Sequence, residues 1–260
     1  MTGPQSDARF EPGARFVPPP LAVDPVRWSR PPERRPVVGL GVAATVLIVL
    51  AVLADAISAV AEWHRYALAR DYVAGDPGVT DADLVGADNL SMGLAVAGPL
   101  LYVAAGVVFM VWLWRARANA EYLCEGRHRR SRGWVIGGWF CPVVGFWFPY
   151  QIVADVWRAS DPGTPRRVED LRYVPSPRLV LAWWVGFLLS GVIAMRAVLG
   201  DDEVTVDFLR RAAWFETASA TLSVAAAFAV GRIIAQIGRW QSDRSRTGWW
   251  ESPPGEVQPE

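Results

Sequence analysis

The chain has 260 residues, 52% of them apolar, a mean hydropathy of +0.18, and 26 basic residues balanced by 26 acidic ones. That is too apolar for an ordinary soluble domain and fits a membrane protein with polar tails. With two cysteines (Cys124, Cys141) and two histidines (His64, His128), no C-x-x-C and no H-x-x-x-H, it offers no metal or haem ligand set, so no cofactor is expected and both thiols are expected to be free.

Residues 1–36 carry nine prolines in a polar stretch. They lack the basic start, apolar core and small-residue cleavage site of a signal peptide. A tail of this composition buries too little apolar surface to offset its ordering entropy and is expected to be disordered. Its extended proline runs could serve a cytoplasmic protein partner with an aromatic groove.

Four stretches are long and apolar enough to span a bilayer, which takes about 20 residues. They run from about Val37 to Ala61, Ser91 to Trp114, Leu179 to Leu199 and Ala212 to Ile234. A membrane domain over residues 37–238 follows, with residues 239–260 as a second disordered tail. The fourth helix, rich in Ala, Ser, Thr and Gly, permits close approach of a neighbour within the bundle or in a homo-oligomer.

The segment GGWFCPVVGFWFPYQIVADVWRAS (residues 137–160) is apolar but carries Pro142, Gly145 and Pro149. Arginine is retained on the cytoplasmic side of a membrane. If the segment turns back, twenty flanking arginines lie inside and four outside; if it crosses, the division is fourteen to ten. Pro142 and Gly145 interrupt a helix, and Pro149 suits the first turn of a new one. From there Tyr150, Val153, Ala154 and Trp157 share one face, as in a helix lying in the interface. Residues 134–160 are therefore expected to form a re-entrant, amphipathic in-plane element. The expected fold is all-α, with four transmembrane helices in the cell membrane and both termini cytoplasmic. The stretches 62–90 and 200–211, with their clustered Asp and Glu, become outside loops.

Two polar constellations stand out. Near the outer boundary, Asp55, Arg196 and Glu216 fall at similar depth, and ionisable groups in spans are functional candidates. They are either a proton- or cation-linked site or an ion pair fixing helix register. On the cytoplasmic side, Arg115 and Asn119 share a helix face, as do Gln151 and Asp155. An Arg115–Asp155 pair with the two amides bridging would clamp the second helix to the in-plane one. The run Arg127–Arg132 beside the membrane would attract anionic lipid. No soluble fold presents that run to nucleic acid.

The stretches WLWRARANAEYL (Trp112–Leu123) and RRSRGWVIGGWFCPVVGFWFPYQIVADVWRAS (Arg129–Ser160) resemble the actinobacterial membrane proteins of domain-of-unknown-function family 4328. The positions that carry the likeness include Trp114, Asn119, Gly133, Trp134, Trp139, Pro142, Trp147, Pro149, Tyr150, Gln151, Trp157 and Arg158. Gly145 stands where the family pattern has asparagine. Every one of the 26 basic residues is arginine, as a GC-rich actinobacterial genome favours. The resemblance implies a multi-pass membrane protein with no established biochemical activity.

No G-x-S-x-G, Walker motif or H-E-x-x-H is present, and no serine pairs with a histidine at plausible depth, so enzymatic activity is not expected. The residues point first to a membrane scaffold or regulatory component. A small transporter or channel, with a polar path past Asp55, Arg196 and Glu216, is the alternative.

Overall fold

A computed structural model describes residues 35–175, 177–198 and 205–246. Residues 1–34 of the tail expected at 1–36, residues 247–260 of the tail expected at 239–260, and the acidic residues Asp201, Asp202 and Glu203 lie outside the described residues. The described chain is all-α. Helix α1 is Val38–Val73, α2 Asp81–Leu123, α3 Trp134–Phe140, α4 Phe148–Ser160, α5 Arg178–Val198 and α6 Val206–Arg246, with one-turn 3-10 helices at Val144–Phe146 and Leu171–Tyr173. Helices α1, α2, α5 and α6 are long and apolar enough to cross a membrane, so the chain is a multi-pass membrane protein.

Three of the four spanning helices outrun the hydropathy signal. At 36 residues α1 is about 54 Å long, against a hydrocarbon core of about 30 Å. The expected outside loop 62–90 is mostly helix. Its turn is short, starting at Gly75, whose φ of +78° is a left-handed conformation that suits glycine. Thr80 and Asp83 then form a capping box that starts α2. Helix α6 likewise continues to Arg246, past the expected tail boundary at residue 239. Hydropathy reports only the stretch in lipid. It is blind to a helix that continues into water, where capping and contacts such as the 2.6 Å Arg65–Asp88 ion pair support it.

Around the bundle the order is α2, α1, α6, α5, since α1 packs along both α2 and α6, and α5 along α6. Small residues make the close contacts. A Cβ on Gly41 of α1 would lie 2.8 Å from Ile234 Cγ2 of α6, and one on Gly186 of α5 would lie 3.4 Å from Ala226 Cβ. The small residues of α6 thus serve packing inside this chain.

Helices α2 and α5 have no extended contact with each other, and α3 and α4 fill one end of the gap between them. This is the re-entrant element. Helix α3 stops before Pro142, and Pro149 sits in the first turn of α4. Gly138 packs under Phe148, with 3.2 Å from a built Cβ to Phe148 Cβ. Trp184 Nε1 of α5 donates to the Phe146 carbonyl at 2.6 Å. Trp184 lies six residues into α5, so the hairpin reaches roughly 9 Å along that helix. The segment does not cross.

Helix α4 differs from a one-sided interfacial helix in one respect. Ile152, Val153 and Val156 are buried, and so are Asp155, Arg158 and Ser160. Its polar face is covered by the connection between α2 and α5. There residues 125–127 run beside 166–171, with Glu125 N donating to Arg166 O and Leu171 N to Arg127 O. Cys124 and Leu171 are buried beneath this pairing, and both cysteines are free. Residues 124–175 therefore form a folded platform across one end of the bundle.

Candidate functional site

Of the four polar residues expected at the platform end, Asp155 and Gln151 enter one network, Asn119 enters another, and Arg115 enters neither. The first is ionic. Asp155, fully buried, accepts from the backbone N–H of Arg129 at 2.9 Å, from Arg129 Nε at 2.9 Å and from Arg158 Nη1 at 3.1 Å. Arg129 Nη2 also donates to the Gln151 carbonyl, at 3.3 Å. Gln151 Oε1 accepts from Arg130 Nε at 2.9 Å, and the Arg130 guanidinium lies 3.8 Å from the Phe148 ring centroid. Burial, with Arg129 beside it, holds the Arg158 pKa below its ordinary value.

The expected Arg115–Asp155 clamp is replaced by this arrangement. Arg115 is half-buried, and among the described residues no ion pair joins it to Asp155. Arg129 offers a backbone N–H together with its guanidinium, which satisfies both carboxylate oxygens from one residue. Arg158, one turn along α4, supplies the second charge.

The second network is neutral. Asn119 Oδ1 accepts from the Arg35 N–H at 3.1 Å, and Asn119 Nδ2 donates to the Arg35 carbonyl at 2.9 Å and to Gln241 Oε1 at 3.1 Å. Gln241 Nε2 donates to the Ala116 carbonyl at 2.9 Å and to Ser160 Oγ at 2.8 Å. The segment before α1, the end of α2, the end of α4 and the end of α6 are thereby joined. All four lie at the same end of the bundle, as an even number of crossings requires.

The run Arg127–Arg132 is divided by the fold. Arg129 and Arg130 serve the ionic network, Arg132 pairs with Glu121, and Arg127 stays exposed. Arg166, Arg167 and Arg172 of the same platform are exposed as well.

Midway along α1, α2 and α6, Asp55 Oδ2 accepts from the Tyr102 hydroxyl at 2.5 Å, and Ser223 Oγ lies 3.3 Å from the same hydroxyl. Glu216 is within electrostatic reach of both Asp55 and Tyr102. Arg196 is not part of this group. It is exposed in the last turn of α5, and among the described residues no ion pair links it to Asp55 or Glu216. Equal depth brought the three together in the sequence, but depth leaves the direction around each helix axis open.

Below Tyr102 and Ser223, between α2 and α5, lies a cavity of about 310 Å³ with Phe109, Trp139, Trp183 and Phe187 in its walls. Trp139, at the tip of the re-entrant hairpin, packs edge-on against Phe109 and Phe187. Sequence reasoning did not find Tyr102, Ser223, Arg129, Ser160 or Gln241. Only Arg158, three residues from Asp155, had a local signal.

A family model described as a domain of unknown function, DUF4328, matches residues 75–239. The chain belongs to the DUF4328 family. The match takes in the platform, α2, α5 and α6 as far as Arg239, so it reaches well beyond the motif-bearing stretch 112–160. Helix α1, although it packs along two other helices, precedes the matched region. No curated protein and no solved structure matches the chain.

Proposed function

We propose that this DUF4328 chain is a non-catalytic scaffold or regulatory component of the cell membrane, with both termini and the platform in the cytoplasm. The carrying observation is how charge is spent on the platform. Asp155 is consumed inside it, while Arg127, Arg166, Arg167 and Arg172 stand at its surface. Residues 124–178 hold nine arginines against five carboxylates. Among the described residues Arg166 and Arg167 pair with the exposed Glu125, at 3.3 and 3.5 Å, and such surface pairs contribute little. Trp134, Phe140 and Trp147 of the hairpin are exposed as well, and tryptophan is enriched where a protein meets headgroups. An exposed basic platform together with exposed tryptophan suits anionic lipid headgroups, at about 1 kcal/mol per arginine near the surface. Arginine excess on this face also supports its cytoplasmic placement.

The test compares the purified chain in nanodiscs of phosphatidylcholine and of phosphatidylglycerol. The anionic lipid should raise the unfolding temperature in a salt-sensitive way. R127S/R166S/R167S, which spares the Arg172–Asp170 pair, should lose most of that rise while keeping its unfolding temperature in phosphatidylcholine. Equal stability in both lipids, or a rise that the triple variant retains, would remove the basis of the reading. A cytoplasm-specific reporter fused at Glu260 tests the placement separately. The transporter alternative draws less support, because Arg196 stands apart and the space below Asp55 is walled by apolar side chains rather than a polar path.

A further inference from the structure

The cavity between α2 and α5 has a chemical polarity of its own. Its lower walls are the aromatic rings of Phe109, Trp139, Trp183 and Phe187, and its upper end is formed by Tyr102 and Ser223. The Tyr102 proton is already committed to Asp55. A phenol has one proton to donate, so toward Ser223 and any donor entering the cavity the Tyr102 oxygen acts as an acceptor. Behind it stands Asp55, with Glu216 in electrostatic reach, and among the described residues neither has an arginine or histidine ion-pair partner. The site therefore offers acceptors, uncompensated carboxyl groups and aromatic faces, and each of these favours a donor that carries positive charge.

Access is sideways. Val103 of α2 and Phe187 of α5 are exposed at the rim, and α2 and α5 do not close against each other above the hairpin. A molecule reaching the cavity must come through the bilayer, so its body must be apolar. The volume of about 310 Å³ falls at the small end of ligand pockets and suits a compact molecule.

We infer that this crevice is a binding site for a compact lipophilic amine, whose ammonium head donates to Tyr102 and is balanced by Asp55 while its apolar body packs among Phe109, Trp139, Trp183 and Phe187. The site lies in the middle of the bundle, on the inner side of the hairpin and away from the exposed arginines, and stands independently of the scaffold reading.

The probe is tritiated 1-adamantylamine, binding to the full chain in phosphatidylcholine nanodiscs and read by scintillation proximity. Saturable binding at one site per chain is expected. Unlabelled amine should compete, and 1-adamantanecarboxylate, with the same body and the opposite charge, should not. Asp55→Asn and Tyr102→Phe should each weaken binding by roughly tenfold or more, the usual scale for a hydrogen bond to a charged group. Gly106→Leu is the steric arm. Gly106 lines the cavity, and a Cβ there meets nothing within 4 Å, so leucine should fill the space, abolish binding and leave the unfolding temperature unchanged. Equal competition by the carboxylate, or binding that survives Gly106→Leu, would overturn the proposal. So would a co-purified phospholipid, seen by native mass spectrometry, that Gly106→Leu removes and the amine does not displace. In that case the crevice holds an acyl chain.

Discussion

Arg129 holds Asp155 twice, through its backbone N–H and through its guanidinium, and so ties the connection after α2 to the buried face of α4. A carboxylate held in this way is both charge-balanced and fully hydrogen-bonded, the condition under which a buried ion can be tolerated.

Asp155→Ala should therefore be among the most damaging single substitutions on the platform. It leaves Arg129 and Arg158 facing each other without the anion between them, at a cost of about 3–5 kcal/mol. Asp155→Asn keeps acceptor and shape and should cost less. Unfolding of the purified chain, with hydrogen exchange over residues 124–175, reads both. Exchange in that region unaffected by the alanine would show that Asp155 does not hold the platform.

Gln241→Leu should strip three hydrogen bonds from the neutral network, leaving Asn119 Nδ2, Ser160 Oγ and the Ala116 carbonyl short of a partner. The expected loss is roughly 1–3 kcal/mol. Asn119→Leu additionally frees both backbone groups of Arg35. Its amide should then exchange faster in the Asn119 variant than in the Gln241 variant.

Gly41 and Gly39, two residues apart on α1, should respond oppositely. Gly41→Val forces a side chain against Ile234 and Trp112, both buried, and overpacking of this kind costs about 1–3 kcal/mol. Nothing lies within 4 Å of a Cβ on Gly39, so Gly39→Ala should be neutral or slightly stabilising through helix propensity. Unfolding temperatures that fall equally in both would contradict the α1–α6 contact.

Acid should loosen the platform through His128. Both ring nitrogens are buried and have no hydrogen-bond partner among the described residues, and burial, with Arg117 nearby, pushes its pKa down to about 4. Above the ordinary value of 6.5 neither folded nor unfolded chain holds the proton, and the full stability is present. As pH falls from there toward 4 the unfolded chain takes up the proton first, so stability is lost, by roughly 1–3 kcal/mol. His128→Phe should flatten this part of the stability profile between pH 7 and 4. An unchanged slope in the variant would assign the acid sensitivity to other groups.

Much of the architecture was legible beforehand because it rests on local rules. Four apolar stretches gave four spanning helices, and the breakers Pro142, Gly145 and Pro149 marked the hairpin that the structure shows. Helix ends were misjudged where α1 and α6 leave the lipid, because capping and surface ion pairs carry no hydropathy signal. Site partners were harder still. Asp155 and Asn119 were identifiable as polar residues near the platform end, but Arg129 is 26 residues from Asp155 and Gln241 is 122 from Asn119.

The amino-acid sequence by itself determined that this protein is a helical membrane protein with four crossings, a re-entrant element that does not cross, and a basic face on one side. Those properties follow from hydropathy, proline chemistry and arginine placement, which act along the chain one segment at a time. Only the tertiary structure decided that Asp155 answers to Arg129 and Arg158 rather than Arg115, and that Asp55 answers to Tyr102 rather than Arg196. It also decided that a cavity opens between α2 and α5. Each depends on how far a helix is turned about its own axis, and at about 100° per residue that angle is set by packing against neighbours rather than by depth in the membrane.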